Sequence, residues 1–94
     1  MNKRELVVAA ARRTSLTQRQ MREAVEAVLE TIGETLAEGH TVALSDFGRF
    51  LVQSYPGRRL RRFDGAGSYM VEDRRVPVFR SSAALRRRVK EKDS

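Results

Sequence analysis

Tyr55-Pro56-Gly57-Arg58-Arg59-Leu60-Arg61-Arg62-Phe63-Asp64-Gly65-Ala66-Gly67-Ser68-Tyr69 is the stretch around which the rest of the chain is read. It sets four arginines within five residues, then an aromatic ring, then a glycine-rich turn. β-type runs lie on both sides, Arg49 to Ser54 before it and Tyr69 to Glu72 after it. The simplest structure is a β-ribbon with positive charge and one apolar side chain at its tip. Guanidinium groups grip phosphates bidentately, and an apolar wedge can enter a base step. The competing reading is a solvated basic loop; the flanking strands and the placement of Phe63 favour the ribbon.

Upstream, Thr41-Val42-Ala43-Leu44-Ser45 is a short β-type run, and Asp46-Phe47-Gly48 turns the chain into Arg49–Ser54. Asp-Phe-Gly also spells a kinase magnesium motif, but no glycine-rich phosphate loop or His-Arg-Asp loop accompanies it, so a turn is expected. Downstream, Val76-Pro77-Val78-Phe79-Arg80 is a further strand, and Pro77 suits an edge position. Ser81 or Ser82 then caps a last helix from Ala83 to about Lys90, with Leu85 and Val89 inward and Glu91–Ser94 frayed.

Before the strands come two helices. Asn2 to Arg13 reads as the first, with Asn2 as N-cap and Glu5 as its capping-box partner. Leu6, Ala9, Ala10 and Arg13 form its short stripe. Thr17-Gln18-Arg19-Gln20 is a capping box for the second. Met21, Ala24, Val25, Val28, Leu29, Ile32 and Leu36 then recur as one amphipathic face, and Gly39 ends the helix in the C′ position. The expected layout is one α+β domain: a helical hairpin (1–40), a sheet (41–54 and 76–82), a β-arm (55–75) and a short C-terminal helix (83–90).

The stripe on helix two, with Phe47, Phe50 and Phe79, is more apolar surface than a hairpin and a three-stranded sheet can hide. Burying each such side chain is worth roughly 1.5–3 kcal/mol. A second copy of the chain is the simplest cover, with Val28, Leu29, Ile32, Leu36, Leu44, Phe47, Phe50, Val52 and Phe79 in a shared core.

Composition narrows the partners. A formal charge of +7 suits a polyanion, nucleic acid first and an anionic membrane surface second. At 40% apolar residues the chain is no disordered basic tail. There is no cysteine, hence no disulfide or thiolate zinc site, and the single histidine, His40, excludes a multi-histidine metal cluster. No acid/base pair or serine–histidine arrangement stands out, so neither an enzyme nor a cofactor is expected. The apolar run Leu6–Ala11 is too short for a signal peptide, and no run spans a bilayer; a cytoplasmic protein is expected.

Taken together, the helical hairpin, Asp46-Phe47-Gly48-Arg49-Phe50 and Val76-Pro77-Val78-Phe79-Arg80-Ser81 make the chain resemble the bacterial histone-like HU/IHF family. Met1-Asn2-Lys3, the helix end Leu36–Gly39, Phe-Gly-x-Phe and Val-Pro-x-Phe all fall at the family's spacing, from Met1 to Lys90 without a gap. The resemblance implies an obligate intertwined dimer, nucleoid-associated, whose two β-arms reach round double-stranded DNA in the minor groove. The family's arm reads Arg-x-Gly-Arg-Asn-Pro-x-Thr-Gly, its proline wedging into a base step. Here Arg58 and Arg61 are kept, Leu60 stands for glycine, Arg62-Phe63 for Asn-Pro, and Gly65-Ala66-Gly67 for Thr-Gly.

Phe63 therefore occupies the wedge position. It either intercalates, phenylalanine being among the side chains that do so, or packs on the ribbon or groove floor. Asp64 beside it is unfavourable near phosphates, but four arginines outweigh it. Leu60 is either a second contact or ribbon packing. The resemblance extends DNA contact to Arg59 and Arg62 in the arm, to Lys3, and to Arg80 with Ser81, which look like the Phe-Arg-Pro-Gly of the IHF branch. A helix lysine usual in HU is Ala83 here. Arg86, with Arg87 and Arg88, either compensates or is a solvated face. The implied function is architectural: binding duplex DNA with little sequence preference, bending and compacting it. The alternatives are an IHF-like site-preferring factor, as a homodimer or a heterodimer, a module for RNA or an acidic protein, and a phage-packaging or coat protein.

Overall fold

A computed structural model of the chain describes residues 1–63 and 65–92. It divides into two compact units, residues 1–35 and 36–94. The elements in order are α1 (Lys3–Ala11), α2 (Gln18–Ala37), β1 (Val42–Leu44), β2 (Gly48–Tyr55), β3 (Arg58–Arg61), β4 (Ser68–Val71), β5 (Arg74–Ser81) and α3 (Ala83–Lys92).

Both helix starts follow from their caps. Asn2 Oδ1 accepts the Glu5 N–H at 2.8 Å. At α2 the box is reciprocal: Thr17 Oγ1 accepts the Gln20 N–H at 3.0 Å, and the Thr17 N–H donates to Gln20 Oε1 at 2.9 Å. Four N–H groups at a helix start lack helical partners, and these bonds satisfy part of that demand. Gly39, at φ +87°, ends α2 as expected, its N–H donating to Leu36 O at 2.8 Å.

The first unit is held by Val7, Ala11 and Met21, with Ala10 and Val25 packed against them. This corrects the stripe expected on α1. The helix turns Val7, Ala10 and Ala11 inward and leaves Leu6 exposed, and it stops at Ala11 rather than Arg13. Leu6-Ala9-Ala10 and Val7-Ala10-Ala11 are equally good i, i+3, i+4 faces, and packing on Met21 chooses between them.

In the second unit, β1, β2 and β5 form an antiparallel sheet in the order β1-β2-β5. Pro77 thus lies on an edge strand, as expected. A tight turn joins β1 to β2, the Phe47 N–H donating to Leu44 O at 3.1 Å with Asp46 at φ +62°. Asp-Phe-Gly is that turn. The last β2–β5 rung pairs Tyr55 with Arg74, whose guanidinium lies 4.8 Å from the tyrosine ring centroid. The sheet therefore runs one residue further on β2, and two further on β5, than the 41–54 and 76–82 expected, because this stacked pair extends it. Arg75 Nη2 donates to Ala37 O at 3.5 Å, placing a cation at the C-terminus of α2.

Ser82, not Ser81, caps α3: its Oγ accepts the Leu85 N–H at 3.0 Å. The helix continues to Lys92, two residues past expectation, with Lys90 and Lys92 in its last turn where cations favour the helix dipole. Val89, expected inward, is 59% exposed, because no described residue of the protomer covers that face.

The rest of the expected core is similarly uncovered. Phe79 contacts Phe50 at 4.9 Å and Phe47 at 5.5 Å between ring centroids. Yet Phe47 and Phe79 stay exposed, as do Leu44, Val28 and Leu29, while Ile32, Leu36, Phe50 and Val52 are only half-buried. Among the described residues only Val7, Ala11 and Met21 form a buried apolar core. A single protomer leaves its largest apolar side chains facing water.

Candidate nucleic-acid interface

β3 and β4 pair with each other alone, as a two-stranded ribbon between β2 and β5. The chain leaves the sheet at Tyr55 and Arg74, and Pro56, with no N–H, cannot extend the ladder. Gly57 N–H donates to the Asp73 carboxylate across the base of the ribbon. The arm spans 56–73, inside the 55–75 expected.

The register sets Arg58 opposite Val71, Arg59 opposite Met70, Leu60 opposite Tyr69 and Arg61 opposite Ser68. Side chains alternate between faces, and residues directly opposite share one. Arg59 and Arg61 therefore stand on one face with Met70 and Ser68, while Arg58 shares the other with Leu60, Tyr69 and Val71. Leu60 is half-buried against this ribbon. Arg58 and Arg61, the two arginines shared with the family's arm, point from opposite faces, so the ribbon offers cations on both sides.

At the tip, the Arg62 N–H donates to Gly67 O at 2.7 Å, and the Gly65 N–H donates to Arg62 O at 3.2 Å. These bonds close a turn with Phe63 at its leading corner. Phe63 is fully exposed, with relative accessibility of 108%. Asp64, expected to be an unfavourable neighbour for phosphates, lies outside the described residues, as do Asp93 and Ser94.

A second basic area lies on the sheet. Arg80 is exposed on β5 directly opposite Arg49 of β2. Arg86 Nη1 donates to Ser81 O and lies 3.4 Å from Ser81 Oγ. Arg49, Arg80, Ser81 and Arg86 line a common open groove. The sequence pointed to Arg80, Ser81 and Arg86 but not to Arg49, whose signal lies in hairpin register. Lys3, in the first unit, has its Nζ 4.0 Å from Glu26 Oε1 and shares its positive charge with that carboxylate. Among the described residues, no three His, Asp or Glu side chains group as a metal site, and no helix is long and apolar enough to cross a membrane.

A family model described as bacterial DNA-binding protein matches residues 1–90. The DNA-binding protein HU of Staphylococcus aureus is 36% identical over 90 residues, covering 96% of this chain and all of that protein. HU of Streptococcus pyogenes is 36% identical over 89 residues, covering 95% and 98%. Among solved structures, an Anabaena HU–DNA cocrystal structure superposes with a TM-score of 0.81 at 35% identity, covering 95% of this chain and 97% of that one. HU from Thermotoga maritima gives 0.69 at 28% identity, with 95% and 98% covered. Helical hairpin, three-stranded sheet, projecting ribbon and C-terminal helix are the HU/IHF-like α+β arrangement, and the chain belongs to the bacterial DNA-binding protein family that includes HU.

Proposed function

We propose that this protein is an architectural, nucleoid-associated DNA-binding protein, acting as a dimer that bends and compacts duplex DNA with little sequence preference. The observation that carries this reading is the arm: arginines on both faces of a narrow ribbon, with Phe63 fully exposed at its tip. Arg58, Arg59, Arg61 and Arg62 hold backbone phosphates, and affinity comes mainly from counterion release. Phe63 wedges into a base step. Unstacking costs a few kcal/mol, offset by the contacts that the bent duplex makes with the rest of the protein. Preference then follows deformability, favouring flexible pyrimidine–purine steps. Phosphate contacts from Lys3, Arg80, Ser81 and Arg86 fix position without reading sequence. No step of this function needs catalysis or a cofactor.

The dimer reading rests on the uncovered apolar side chains. Val28 and Leu29 on α2, with Leu44, Phe47 and Phe79 in the second unit, bury against a second copy. A homodimer accounts for this with one sequence, and two arms related by a two-fold axis match the pseudo-two-fold of a duplex.

Competition among equal-length ligands tests the class. Random-sequence duplex DNA is expected to displace a labelled random duplex, while A-form duplex RNA competes poorly because its grooves do not admit the same arm. Equal competition by RNA would put the protein among modules for other polyanions. A DNA site that competes much better than random sequence would favour the site-preferring reading.

A further inference from the structure

We infer that Asp73 is a positioning residue for DNA bending: its carboxylate bridges a two-rung gap between sheet and arm and so fixes the direction in which the arm carries Phe63; the inference rests on the DNA-bending reading above. The β2–β5 ladder ends at Tyr55–Arg74, and the β3–β4 ladder begins at Arg58–Val71. Counting on from the first of these rungs sets Pro56 opposite Asp73 and Gly57 opposite Glu72, and reaches the second with no residue inserted or dropped. Sheet and arm are therefore one long hairpin in a single register, broken at two rungs. Pro56 has no N–H to give, which accounts for part of the break. Among the described residues, one hydrogen bond crosses the gap, from the Gly57 N–H to the Asp73 carboxylate. The approach is close as well as polar. A Cβ on Gly57 would lie 2.9 Å from Asp73 Oδ1 and 3.0 Å from the Asp73 backbone nitrogen, so glycine is what lets the two strands meet here.

A gap of this kind is a hinge, and the lever on it is long. Ladders hold the strands on either side, and the stack of Arg74 on Tyr55 firms the last rung of the sheet. Phe63 lies six residues beyond Gly57, about 20 Å at about 3.3 Å per residue. A swing of about 10° at the gap moves the ring by about 3.5 Å, the spacing of one base step. A loose hinge spreads Phe63 over neighbouring steps and must be ordered on binding, whereas a bridged hinge holds it in place beforehand. Charge points the same way. Asp73 sets a negative charge at the base of an arm that works on phosphates, where like charges repel. A carboxylate that accepts a backbone N–H makes a charge-assisted bond, stronger than a neutral one, and that bond is what Asp73 contributes. Glu72 beside it is exposed and makes no such bond among the described residues.

The test compares wild type, Asp73→Ala, Asp73→Asn and Glu72→Ala at saturating protein on a doubly labelled random duplex, by end-to-end fluorescence energy transfer. Each substitution removes one negative charge, and charge by itself favours tighter binding in all three. Asp73→Ala alone removes the acceptor for the Gly57 N–H. It is expected to draw the ends together less, because losing one hydrogen bond shifts the balance between inserted and merely bound arms about fivefold toward the latter. Asp73→Asn, which keeps an acceptor oxygen, and Glu72→Ala bend DNA as wild type does. Without DNA, the Gly57 amide exchanges hydrogen about fivefold faster in Asp73→Ala than in wild type, and at the wild-type rate in Asp73→Asn. Asp73→Ala melts at the wild-type temperature, since the gap lies outside both ladders, so reduced bending cannot be put down to misfolding. If wild type bends the duplex and Asp73→Ala bends it equally, or if the Gly57 amide exchanges as fast in wild type as in Asp73→Ala, the role of Asp73 is overturned alone. Loss of bending in Asp73→Asn or Glu72→Ala as well would also overturn it, by tracing the effect to charge. A wild type that binds without drawing the ends together removes the bending reading, and the role of Asp73 with it.

Discussion

Gly48→Ala is expected to lower the thermal unfolding midpoint by on the order of 10 °C, with no change in any charged side chain. Gly48 is the first residue of β2 and pairs with Ser81. A Cβ built there would lie 2.5 Å from Phe79 Cζ and 2.6 Å from Arg80 O. The ring could turn aside, but only by breaking its contacts with Phe47 and Phe50. The carbonyl cannot move without opening the β2–β5 ladder. Overpacking of this kind costs typically about 1–3 kcal/mol, and it occurs once in each protomer. The same rung lies beside the bond from the Ser82 N–H to Phe47 O, at 2.9 Å, which ties the start of α3 to the β1–β2 turn. Circular dichroism melts of the two proteins at equal concentration give the answer; a midpoint shift under about 2 °C would show that the turn relaxes freely.

Neutralising the arm, with Arg58, Arg59, Arg61 and Arg62 all changed to Gln, should weaken DNA binding more than any other change. The dimer then gives up eight cations, four from each arm. If each meets a phosphate, the slope of log affinity against log salt falls by about 7. Wild type should bind roughly 10³-fold or more weakly at about 200 mM salt than at about 50 mM, and the variant should show a shallower dependence, that of the remaining contacts from Lys3, Arg80 and Arg86. Fold stability should change little, because these side chains are exposed and Leu60 still faces Tyr69. Fluorescence anisotropy across a salt series measures both quantities. A variant that keeps the wild-type slope would move the phosphate contacts off the arm.

Much of the fold is legible in the sequence because the deciding chemistry is local. Thr17 and Gln20 announce α2, Gly39 ends it, Pro77 marks an edge, and the arginine stretch between two β-runs announces a ribbon. What is not legible depends on partners distant in sequence. Alanine-rich α1 has two equivalent small faces, and only Met21 selects Val7 over Leu6. Arg49 looks like an ordinary strand residue until the β2–β5 register sets it against Arg80. Arg58 and Arg61 group together by likeness to a motif, whereas period-two alternation separates them by face. The amphipathic pattern of α3 points Val89 inward, yet the surface that would cover it is absent from one protomer.

The sequence departs from the family's pattern at the place where the proposed function is carried out. Phe63, the wedge of the proposed function, is fully exposed beside the backbone bonds that join Arg62 to Gly67 and Gly65. Its role decides whether the protein bends DNA by insertion or only holds it by charge. The most direct measurement is end-to-end fluorescence energy transfer on a doubly labelled random duplex, with wild type and Phe63→Ala at saturating protein across a salt series. The account predicts that wild type draws the ends together, while Phe63→Ala still binds through its arginines but draws them together less. Equal transfer with the two proteins, or a wild type that binds without bringing the ends closer, would contradict it.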